Sequence, residues 1–125
     1  MTKRDTQQRR AIRAAIDDAN RPLSPREVLD SARHRGSPGL GIATVYRTLK
    51  TWVEEGGLTQ VDLPGEPPRY EVTGKQHHHH FHCRSCDRVY ELQGCPEGLR
   101  ALTPPGFSLE SHEVVLYGRC AECAS

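Results

Sequence analysis

The sequence predicts a mixed chain, α/β in the α+β sense, built from two unlike parts. Three observations predict it. Helical periodicity runs through the first fifty residues, two short β-like runs around a proline-rich turn follow, and the remainder is β-like and dense in histidine and cysteine. Charge divides at the same place. Residues 1–50 hold eleven Lys and Arg against five Asp and Glu, and residues 51–125 hold six against eleven, so a net of +6 is followed by −5. A basic part joined to an acidic, ligand-rich part points to a division of labour. Chance clustering is the competing explanation.

The chain has 125 residues, enough for one compact domain or two very small ones, and only 35% of them are hydrophobic. A core this lean calls for a staple or a partner subunit. No apolar run approaches membrane-spanning length, and MTKRDTQQRR at the start carries no apolar signal region. A cytoplasmic protein with no membrane partner is therefore expected. In such a reducing compartment, cysteine pairs are expected as ligands rather than disulfides.

The first helix is expected in TQQRRAIRAAIDDA, where Ile12, Ala15, Ile16 and Ala19 form one stripe and Arg9, Arg10 and Arg13 lie off it. Ser24 and Glu27 are spaced as a capping box, and Pro25 suits the first position of a second helix with Val28, Leu29 and Ala32 on its apolar face. GSPGLG breaks the chain, and a third helix is expected in IATVYRTLKTWVEE. Ile42, Val45, Leu49, Trp52 and Val53 form its inner stripe, with Thr44, Arg47, Thr48 and Thr51 facing elsewhere, and Gly56–Gly57 end it. LTQVDL and PRYEV, joined through PGEPP, read as a β-hairpin. Three helices and a hairpin is the order of a winged helix-turn-helix, whose third helix enters the DNA major groove. A face carrying Thr44, Tyr46, Arg47 and Lys50 suits that role, because Arg and Lys neutralise phosphate or read guanine edges. A three-helix bundle with a merely solvated charged face is the competing reading.

QHHHHFHCRSC, residues 76–86, holds five of the seven histidines and two of the five cysteines. Cys83 and Cys86 form one CxxC and Cys120 and Cys123 another, with 33 residues between the pairs. Two such pairs are the pattern of a tetrahedral four-cysteine zinc site, which also supplies the missing staple. A redox dithiol is the alternative. If residues 77–83 form a strand, His78, His80 and His82 point one way and His77, His79, Phe81 and Cys83 the other. The histidines then serve two sites on two faces. Imidazole suits zinc, iron, nickel and copper alike, so ligand type does not choose the metal. Glu71 and Glu91 are within reach in sequence, and His112 lies in a later β-like run, SHEVVLYG. A solvated polar loop with adventitious metal affinity is the alternative here.

Together GLGIATVYRTLKTWVEEGGL, RYEV, HHHHFHCRSCDRVYEL and SHEVVLYGRCAEC resemble the ferric uptake regulator superfamily of bacterial metal-responsive repressors, in order and spacing across most of residues 7–123. The resemblance implies a winged-helix DNA-binding domain over residues 1–73, hinged to a small α/β dimerisation and metal-binding domain over residues 74–125. It implies a homodimer on double-stranded operator DNA. Tyr46 and Arg47 match DNA contacts, and Cys83, Cys86, Cys120 and Cys123 match the structural zinc site. Glu71, His78, His80 and Glu91 match positions that supply the regulatory site, for which zinc or iron is expected. His77, His79, Glu97 and His112 match a further site. The chain departs from the family pattern in several places. Arg21–Pro22 stand where many members have a ligand histidine, His79 where an aspartate is common, and Thr73 where zinc sensors often have a cysteine. The segment from 94 to 105 is short and carries an extra Cys95, whose role the sequence leaves open.

The mechanism expected is metal-gated DNA binding, in which loading favours one arrangement of the dimer and shifts its population. The rivals are a zinc-ribbon-like interaction module and a zinc hydrolase, neither binding DNA. No HExxH is present and no general base is paired with the cluster, so no enzyme is expected.

Overall fold

The structure, a computed structural model, describes residues 2–96 and 98–124. The chain divides into two compact units, Met1–Lys75 and Gln76–Ser125.

The first unit is built on α1 (Lys3–Ala19), α2 (Pro25–His34) and α3 (Ile42–Glu54). Thr2 and Asp5 close a capping box at the start of α1, and Asn20, in the left-handed region at φ 52°, ends it. The expected Ser24–Glu27 box forms at α2: the Glu27 amide donates to Ser24 Oγ at 3.2 Å and the Ser24 amide to Glu27 Oε1 at 3.1 Å. Ile12, Ile16, Val28, Leu29, Leu40, Val45 and Leu49 are the centre of the core, with Ile42, Trp52 and Val53 packed against its rim. One α3 position differs from the expected pattern. Thr48 is buried, because its hydroxyl bonds back to the Thr44 carbonyl at 2.8 Å and needs no water.

The wing is the antiparallel pair β1 (Leu58–Val61) and β2 (Arg69–Val72). A bridge invisible in the sequence ties it to the helices. Leu23 exchanges two backbone hydrogen bonds with Tyr70, at 2.9 and 2.8 Å, so the link between α1 and α2 forms a third rung beside β2. Beside it, Arg69 is 4% exposed and reaches Glu27 Oε1 at 3.1 Å, while Arg21 reaches Glu27 Oε2 at 2.7 Å.

The second unit is a three-stranded sheet of order β4-β3-β5, from β3 (His78–Cys83), β4 (Val89–Gln93) and β5 (Val115–Gly118). β4 runs antiparallel to β3 and β5 parallel to it. At Gly118 a Cβ would stand 3.1 Å from the Phe81 ring, so glycine leaves room for that ring. Among the described residues its helices are a 3-10 turn, Arg100–Leu102, and a four-residue α4, Ala121–Ala124. The helical share of the expected α/β unit is therefore slight. Two expected strand bounds also shift. His77 precedes β3, and His112 lies in the coil before β5, whose pairing starts only at Val115.

Candidate metal centres and nucleic-acid interface

The four paired cysteines meet. Cys83 ends β3, Cys86 sits in the turn to β4, Cys120 follows β5 and Cys123 is carried by α4. Their sulfurs all lie within 4.8 Å of one another. Amide donors converge on the innermost one: Cys86 N–H lies 3.5 Å from Cys83 Sγ and Cys120 N–H 3.3 Å from it. The Cys86 amide, with help from those of Cys120 and Ser85, overcomes burial and brings the Cys83 thiol down to about 6. The Cys120 thiol is also lowered, first by the Cys123 amide and then by the Tyr90 hydroxyl. Cys123 is pushed up to about 12, chiefly by its hydrogen bond to the Cys120 sulfur. The backbone thus favours thiolates at Cys83 and Cys120, and Cys123 resists ionisation until a cation supplies positive charge. Four convergent thiols with this electrostatics fit a tetrahedral zinc ion.

On β3 the histidines separate by face, as alternation requires. His77 Nε2 lies 3.1 Å from His79 Nε2 and 3.3 Å from His112 Nε2. His79 is 3% exposed, and the Val114 amide, 3.2 Å from its Nδ1, holds the ring. Burial first, then the His77 and His112 rings, lower its affinity for a proton. Cys95 Sγ comes within 3.4 Å of His79 Nε2, and the four donor atoms of His77, His79, Cys95 and His112 lie within 4.8 Å of one another. The sequence had pointed to Glu97 as the fourth member, and that residue lies outside the described ones.

On the other face the His78 and His80 rings stand 4.9 Å apart, edge to face. His82 shares their side by alternation but is engaged by Asp87, Nε2 to Oδ1 at 2.6 Å. Glu91 stands directly across the β3–β4 ladder from His80, and the Gln93 amide donates to its carboxylate at 3.4 Å. Its oxygen is not among the donor atoms that converge in groups of three or more among the described residues. Glu71 lies on β2 of the first unit, 5% exposed and opposite Thr59.

In the first unit α3 presents Tyr46, Arg47 and Lys50 to solvent, and Thr44 at its edge. Tyr46 is 55% exposed and so is not part of the core packing. Arg47 donates to Thr44 Oγ1 at 3.2 Å, so the guanidinium is held over the same face. Arg9 of α1 joins Thr44, Arg47 and Thr51 along one shallow polar groove.

A basic, exposed third helix braced by a wing, in a chain whose second unit gathers cysteine and histidine donors, defines a metal-binding winged-helix regulator. Residues 2–117 match the ferric uptake regulator family, and the chain belongs to that family. It is 37% identical over 87 residues to the ferric uptake regulation protein of Campylobacter jejuni, a match that covers 67% of this chain and 55% of that one. It is 33% identical over 126 aligned positions to the zinc uptake regulation protein of Mycobacterium tuberculosis, covering 98% of this chain and 95% of the relative. In three dimensions it is similar to the Helicobacter pylori ferric uptake regulator Fur, a protein with three functional metal binding sites, at a TM-score of 0.70 and 26% identity, over 94% of this chain and 80% of that one. This kinship does not favour a zinc-ribbon module or a hydrolase. Among the described residues, no helix is long and apolar enough to cross a membrane.

Proposed function

We infer that the chain is a metal-responsive, DNA-binding transcriptional repressor of metal-uptake genes, acting in the cytoplasm as a homodimer on double-stranded operator DNA. The observation that carries this is the combination, in one member of the family, of an exposed Tyr46–Arg47–Lys50 face on α3 with two separate donor clusters around β3.

Tyr46, Arg47, Thr44 and Lys50 contact the operator, Arg47 at a base edge and Lys50 at phosphate. Cys83, Cys86, Cys120 and Cys123 hold a structural zinc ion, which supplies the positive charge that four close thiolates require. His78 and His80 hold the regulatory ion, zinc or iron, together with Glu91 from the neighbouring strand. The part of Glu71 rests on the family resemblance. His77, His79 and His112 form the further site. Regulation requires that these donors meet in one conformer of the dimer and less well in the other, because an ion bound equally to both shifts nothing.

The test is an electrophoretic gel shift on operator DNA at fixed salt, with the zinc-loaded protein titrated with iron, zinc, manganese and nickel. Binding is expected to rise steeply with one of them, and in a second series at rising salt it is expected to fall. Equal binding at every metal concentration would exclude metal gating, and no binding at any would exclude the repressor.

A further inference from the structure

We propose that Cys95 is the fourth donor of a His3Cys metal site with His77, His79 and His112, and that this thiolate makes the site selective for zinc over manganese or ferrous iron. The proposal rests on the reading that this histidine cluster binds metal, and deepens it by replacing the expected carboxylate with sulfur.

Cys95 is the one cysteine outside the two CxxC pairs. It does not belong to the four-sulfur cluster, yet its Sγ ends 3.4 Å from the Nε2 of His79, a side chain 97% buried. The strand pairing brings it there. Gln93, the last residue of β4, stands opposite His78 at the start of β3, and Gly94, at φ 87°, turns the chain just before Cys95. Hydrogen bonds among the members cannot satisfy the cluster. His77 Nε2 has one site for a proton or a lone pair, and it faces two other imidazole nitrogens within 3.3 Å. A divalent cation satisfies all three rings and the sulfur together: each donor offers one lone pair, His79 by carrying its proton on Nδ1 at the expense of the Val114 contact, and the thiol gives up its proton to solvent. Access exists as well. An open groove beside His77 and His112 is lined by Glu110 and Glu113, whose charge draws cations to it. Three nitrogens and a thiolate form a borderline-soft set of tetrahedral number. It suits zinc, whereas manganese prefers harder oxygen-rich sets and non-haem ferrous iron a carboxylate beside its imidazoles.

Cobalt(II) is the probe, because a thiolate bound to it adds a near-ultraviolet charge-transfer band that imidazole and carboxylate ligands do not. The full-length protein, its four-cysteine site filled with zinc, is titrated with cobalt while zinc content is followed by elemental analysis. The wild type is expected to take up cobalt with the thiolate band and without loss of zinc. Cys95→Ser should lose the band and bind cobalt at least about tenfold more weakly, the lower end of what even a supporting residue contributes to metal affinity. Glu97→Gln should retain both, and His112→Ala should lose the thiolate-bound cobalt while cobalt held by His78 and His80 stays. A Cys95→Ser protein with unchanged band and affinity would overturn the proposal. If His112→Ala alone released cobalt, the histidine site would stand and the sulfur assignment would fall. If neither variant changed uptake, both would fall, and the gel shift would still decide the repressor reading independently.

Discussion

The backbone N–H of Cys120 donates to the sulfur of Cys83 at 3.3 Å, bridging 37 positions of the chain. This contact joins the end of β5 to the end of β3, in a unit whose fully buried side chains are few, Val89 and Cys83 among them. Little apolar area holds that sheet together, so the thiol cluster has to. Cys120→Ser is expected to lose about one zinc per chain and to lose the dimer, as measured by elemental analysis and sedimentation. Far-ultraviolet helicity should persist, because α1, α2 and α3 all lie in the other unit. Full zinc content with an intact dimer would contradict the structural assignment.

The helical core makes a different prediction. Leu49 has no exposed surface and lies amid Val45, Leu29 and Ile12 in the core of the first unit. Leu49→Ala should destabilise that unit by about 2–5 kcal/mol in chemical denaturation. The zinc content of the purified protein should not change, since every cysteine of the cluster lies beyond residue 76.

The helices were legible because 3.6-residue periodicity and caps are local, and Ser24, Glu27 and Pro25 announced α2 before any packing was considered. The wing was legible for the same reason. The histidine faces followed from strand alternation, which separated His78 and His80 from His77 and His79 without a fold in hand. What the sequence hid was non-local. The Leu23–Tyr70 bridge joins positions 47 apart, which no period relates. The burial of Thr48 depends on a backbone carbonyl one turn earlier. Cys95 was visible as an odd thiol next to glycine and proline, yet only the fold after β4 puts it against His79. Arg69 falls in the expected hairpin run PRYEV, where nothing local shows that it is almost wholly buried against Glu27, 42 positions away.

That ion pair is itself a test of how the wing is held. Glu27 caps α2 with one oxygen, receives Arg69 on the same oxygen and takes Arg21 on the other. With the Arg69 side chain only 5% exposed, removing Glu27 takes away its 3.1 Å carboxylate contact, the Glu66 carboxylate standing farther off at 3.8 Å, in a poorly hydrated place. Glu27→Ala should cost about 3 kcal/mol or more, whereas Arg69→Met should cost less, because it removes the buried charge and keeps the apolar stem. Thermal or urea unfolding of the two variants gives the order. The reverse order would mean that the pair contributes little.

Arg47 and Lys50 share one exposed face of α3 and are expected to fail differently. Arg47→Ala should weaken operator binding by about 1–3 kcal/mol and relax preference at one base pair. Lys50→Ala should weaken binding evenly across sequences and reduce the salt slope by about one. Competition gel shifts at several salt concentrations separate the two. Identical behaviour of both variants would make α3 a phosphate-binding helix without base readout.

The two faces of β3 give the last comparison. His78 and His80 stack at 4.9 Å on one side, while His77 and His79 meet His112 on the other. A His78→Ala, His80→Ala protein should stay folded and dimeric and keep its structural zinc, since Cys83 points to the opposite face, and it should lose metal-stimulated operator binding. A His77→Ala, His79→Ala protein strips the other cluster and should lose less of that response, though it too should bind one metal ion fewer. Metal titration followed by operator affinity, run on both, reads the difference. The burial of His79 sharpens the comparison, because its removal leaves a cavity that costs stability where loss of the half-exposed His78 and His80 does not. A thermal melt of each protein separates that structural loss from the regulatory one. Two double variants alike in metal count and in operator response would show that β3 carries one site rather than two.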